Sequence, residues 1–75
     1  MDEGYILSNK YRRTIFESLF NGETNIDRIA KKHRIIPLAA RKVVEDFTIG
    51  GIIEKKGNKY VLTSSGKRLA ERIIE

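Results

Sequence analysis

The chain has 75 residues, with 15 lysines and arginines against 10 acidic residues, a net charge of +5, one histidine and no cysteine. A chain this short holds one domain with a thin core, burying only about 60% of the surface its unfolded form exposes. The composition excludes disulfides, thiolate chemistry and a metal site resting on His33 alone, and the basic excess favours a polyanionic partner.

No apolar stretch approaches the ~20 residues that cross a bilayer. The opening MDEGYILSNK is acidic before it is apolar, the reverse of a secretory signal. These features predict a single soluble, cytoplasmic domain over residues 1–75, with no membrane partner.

The segment GYIL at 4–7 reads as a short strand or a packed arm. The spacing of Tyr11, Ile15 and Leu19, with Phe16 and Phe20 beside them, predicts an amphipathic helix over 8–22. Ser8 is its expected N-cap and Asn21-Gly22 its stop, with Lys10, Arg12, Arg13 and Glu17 on the wet side. TNIDRIAKKHRI predicts a shorter helix, Thr24 and Asp27 having capping-box spacing and Ile26, Ile29 and Ala30 lining one face. His33 falls at its C-terminal end, where a partial positive charge suits the helix dipole.

Pro37 disfavours helix at Ile36 and suits the first position of a new helix over 37–49. Ala40, Val43, Val44 and Phe47 form its apolar stripe, and Gly50-Gly51 ends it. At ~100° per residue, Leu38, Arg41, Lys42, Glu45 and Ile49 then lie on the opposite side.

IIEKK and KYVLT flank Gly57-Asn58, which suits a two-residue type II′ hairpin turn. The register about that turn is Lys56 with Lys59, Lys55 with Tyr60, Glu54 with Val61 and Ile53 with Leu62. Opposed lysines at the tip cost the hairpin a little stability, which points to a gripping role. SSGKRLAERIIE predicts a last helix capped by Thr63 or Ser64, with Leu69, Ala70, Ile73 and Ile74 as its stripe. That stripe packs on the first helix or on a second copy, giving a homodimer through the C-terminal helix.

The stretch VVEDFTIGGIIEKKGNKYVLTSSGKRL resembles the second half of a winged helix-turn-helix domain of the MarR-like and ArsR-like archaeal and bacterial regulators. TNIDRIAKKHRI resembles the usual second helix, so the likeness covers residues 8–75. It implies an α+β, mostly helical fold: a three-helix core with a helix-turn-helix, a two-stranded wing and a C-terminal helix. It further implies a recognition helix at 37–49 that enters the major groove of double-stranded DNA. The wing at 52–63 would lie on phosphates or in a minor groove.

The expected contacts on the helix are Leu38, Arg41, Lys42 and Glu45. Arginine grips guanine through two hydrogen bonds, lysine acts as a point charge, glutamate accepts from cytosine, and Leu38 suits a thymine methyl. On the hairpin they are Lys55, Lys56, Asn58 and Lys59. Residues 37–49 carry two cations and two acids, for no net charge. Residues 24–36 carry four cations against one acid and residues 51–63 three against one, so attraction flanks the reading helix. The expected function is a DNA-binding transcriptional regulator; the rival is a protein-interaction module of a larger transcription, replication or assembly complex. No cofactor, small-molecule ligand or metal is expected. Ser64 and Ser65 read as cap and turn residues, so no enzyme activity is expected either.

Overall fold

The computed structural model describes residues 1–73, which form an α+β chain of five helices and one two-stranded antiparallel hairpin. Ile74, the last apolar residue of the expected C-terminal stripe, lies outside the described residues.

The first helix was not expected. GYIL is neither strand nor arm but part of α1 (Glu3–Leu7), because Asp2 caps it by accepting from the Tyr5 amide at 3.0 Å. Ile6 is fully buried, so packing holds a helix too short to persist alone. Its presence moves the next boundary. The Ser8 hydroxyl donates back to the Tyr5 carbonyl at 3.1 Å, and Asn9 therefore caps α2 (Lys10–Phe20) in place of Ser8. The Asn9 side chain accepts from the Tyr11 and Arg12 amides at 2.8 and 3.1 Å. Arg12 is not on the wet side: it is half-buried, with its guanidinium carbon 3.9 Å from the Tyr5 ring centroid. Ile15, Phe16 and Leu19 are core residues, whereas Tyr11 and Phe20 at the ends of the expected stripe stay exposed.

The next helix, α3 (Ile26–Lys32), is capped by Asn25, which accepts from the Arg28 amide at 3.0 Å; the expected Thr24–Asp27 box does not form. Thr24 is used elsewhere, its carbonyl accepting the Tyr60 amide at 3.0 Å. His33 is the C-cap of α3, as its position suggests. Pro37 opens α4 (Pro37–Ile49), and Ala40, Val43, Val44 and Phe47 are its buried residues. Phe47 meets Phe16 edge to face, ring centroids 6.1 Å apart, a geometry that adds about 0.5–1.5 kcal/mol to simple burial.

The hairpin pairs β1 (Ile53–Lys56) with β2 (Lys59–Leu62) in the expected register. Gly57 has φ +62, and Asn58 is not in the left-handed region, as a type II′ turn requires. Ile53 and Leu62 enter the core and Tyr60 packs against it. Thr63 starts α5 (Ser64–Ile73): its hydroxyl accepts from the Gly66 amide at 3.1 Å and donates to the Gly51 carbonyl at 2.6 Å. Leu69 and Ala70 are buried within their own chain. Among the described residues no helix is long and apolar enough to cross a membrane.

Candidate functional site

The register of the hairpin divides its lysines between two faces. Lys55 shares a face with Tyr60, and its Nζ lies 6.0 Å from that ring's centroid. Lys56 and Lys59 share the opposite face with Glu54 and Val61, because side chains alternate along a strand.

The Lys55 face looks across an open cleft of about 790 Å³ toward α3 and α4. Ala30, Ile35, Ala40 and Val44 supply apolar lining, and Lys31, Arg41 and Lys55 bring three cations to it from three separate segments. Asn25 and Asn58 add amides, and Asp27 is the one acid. None of the three cations has an ion-pair partner among the described residues.

The helix α4 presents two chemically different flanks. Arg41 joins the cleft. Lys42 is turned into an ion pair, its Nζ 3.0 Å from Asp46 Oδ1, while Asp46 Oδ2 accepts from the Tyr5 hydroxyl at 3.3 Å. The hydrogen bond and charge of Asp46 raise the Lys42 ammonium above its usual value. Between the flanks lie Leu38, Glu45 and Ile49, with Leu38 72% and Ile49 78% exposed. Ile36, just before the helix, is 65% exposed.

All eight expected contact residues are therefore on the surface, but they do not form one patch. Arg41, Lys55 and Asn58 meet at the cleft. Lys56 lines a separate depression with Phe20, Val61 and Lys67 on the far side of the hairpin. Lys31 joins the first group; only the packing angle between α3 and the hairpin reveals this, so no local pattern marks it. The Lys42–Asp46 pair was legible, since oppositely charged residues four apart on a helix are neighbours.

No protein-family model, curated protein or solved structure matches the chain. Its function is to be read from its own geometry and charge.

Proposed function

We propose that this chain is a winged helix-turn-helix DNA-binding domain of a transcriptional regulator, with α3 and α4 as the helix-turn-helix and the hairpin as the wing. The observation that carries this is the meeting of Lys31, Arg41 and Lys55 around one cleft that holds a single acid, Asp27, none of the three having an ion-pair partner among the described residues. Three cations drawn from α3, α4 and the hairpin suit a polyanion that runs past all three. The hydrogen bond from Tyr60 to Thr24 supports the layout, because it fastens the hairpin beside the two helices. Arg41 reads base edges, and Lys55, Lys56, Asn58 and Lys59 meet phosphates or a minor groove. Selection of bound duplexes from a random pool tests the proposal. Enrichment of a common motif is the expected result, and no retention of any duplex at low salt would refute it.

A second reading has its own observation. The middle of the outer α4 face is Leu38, Glu45 and Ile49, two exposed apolar residues around an acid, on a helix with no net charge. Such a face suits a protein partner within a larger assembly better than it suits phosphate. Among the described residues, pairing of two copies through α5 would rest on the polar side of that helix, since Leu69 and Ala70 are buried and Ile73 packs against the core. Light scattering separates that dimer from a monomer.

A further inference from the structure

Three helices of this chain end in the same backbone device. The amide two residues past each C-cap reaches back to the third-last helical carbonyl, and the amide one residue past it reaches the second-last. In α2 these are Glu23 to Ser18 at 3.0 Å and Gly22 to Leu19 at 3.2 Å. In α4 they are Ile52 to Phe47 at 3.1 Å and Gly51 to Thr48 at 3.1 Å. In α3 they are Ile35 to Ala30 at 2.8 Å and Arg34 to Lys31 at 3.3 Å.

The motif forces its pivot residue into left-handed backbone, where a Cβ crowds the carbonyl that follows and glycine is at ease. Gly22 and Gly51 take that position at φ +98 and +77. The third pivot is Arg34 at φ +55, the only non-glycine residue with positive φ among those described. Closing α3 does not need this arginine: Lys31 and Lys32 already place positive charge in its last turn. Nor is Arg34 packed or paired. It is exposed and has no ion-pair partner among the described residues. Its neighbours Lys31, Ile35 and Pro37 line the same cleft as Arg41 and Lys55.

We propose that Arg34 is a phosphate-contact residue, held in the turn between α3 and α4 at a backbone position that glycine would fill with less strain. The proposal rests on the duplex-DNA reading above. A guanidinium offers two parallel donors to a phosphate, and the tight turn limits where it is presented.

Arg34→Gly and Arg34→Lys, measured beside the wild type, test it. Arg34→Gly removes strain and cation together, so its thermal midpoint should rise by about 2–5 °C. Its duplex affinity should fall about 3–10-fold, with the slope of log K against log salt shallower by about 0.9, the share of one phosphate. Arg34→Lys should keep the wild-type slope and midpoint. Wild-type affinity and slope in Arg34→Gly would overturn the proposal while leaving the DNA reading intact, and so would a lower midpoint in that variant. Absence of duplex binding by the wild type would instead overturn the DNA reading and this proposal with it.

Discussion

Tyr60 donates its backbone amide to the Thr24 carbonyl at 3.0 Å, which ties the hairpin to the turn before α3. The reason lies in the register. Lys56 and Lys59 flank the two-residue turn as a hydrogen-bonded pair, so Lys55 and Tyr60 form the next, non-bonded pair. The Tyr60 amide therefore points away from β1, and only Thr24 spares it from solvent. Hydrogen exchange should find this amide protected to the degree of Val61, its neighbour in β2. Exchange at the free rate would show that the hairpin is not fastened there.

Gly66 sits on the N-terminal turn of α5, where alanine would ordinarily help by about 1 kcal/mol. Here a Cβ would collide with the Ile52 carbonyl oxygen, which already accepts from the Thr63 amide at 3.0 Å. Backbone on both sides leaves little room to relax. Gly66→Ala should therefore destabilise the fold by about 1–3 kcal/mol, read as a fall of several degrees in thermal midpoint. An unchanged or higher midpoint would show that α5 shifts freely.

Asp46 both restrains Lys42 and neutralises α4. Removing its charge with Asp46→Asn should leave Lys42 free and give residues 37–49 a net charge of +1, one acid fewer than their two cations. Duplex affinity should then rise a few-fold, with little change in stability because Lys42 is exposed and an asparagine oxygen can still accept from the Tyr5 hydroxyl. The Lys42 pKa is raised, so the contribution of this pair to stability is complete below the ordinary lysine range and is lost only as pH climbs above it. Between pH 6 and 8 the affinity gain should therefore be independent of pH.

Leu38 separates the two readings of the α4 face. It is 72% exposed, so Leu38→Asp should move stability by about 0.5 kcal/mol or less. If α4 reads DNA, the new acid should weaken duplex binding at least several-fold, as one charge reversed against phosphate. Unaltered duplex binding would remove this face from the DNA contact and leave it free for the second reading.

Where local rules decide the outcome, the chain was readable. Pro37 opened α4, Gly57-Asn58 set the hairpin register, and Asn21-Gly22 and Gly50-Gly51 closed their helices. The missed boundaries share one cause. Ser8 and Thr24 are competent caps, but each lies beside an asparagine and has its own bond elsewhere, Ser8 in the last turn of α1 and Thr24 with the hairpin. Ser8 closes α1 and Thr24 holds β2, so Asn9 and Asn25 do the capping. The candidate site was legible as residue types and outward-facing positions. Its grouping was not, because Lys31, Arg41 and Lys55 come together only through the angle at which the hairpin returns to the helices.

Salt dependence of duplex binding tests the proposed function most directly. The wild type should bind duplex DNA at low salt, with log K falling linearly in log salt. Replacing Lys31, Arg41 and Lys55 together with alanine should reduce that slope by about 2, the phosphate contacts of Lys31 and Lys55 contributing about 0.9 each. An unchanged slope, or no binding by the wild type at low salt, would contradict the assignment of this cleft and hairpin to DNA.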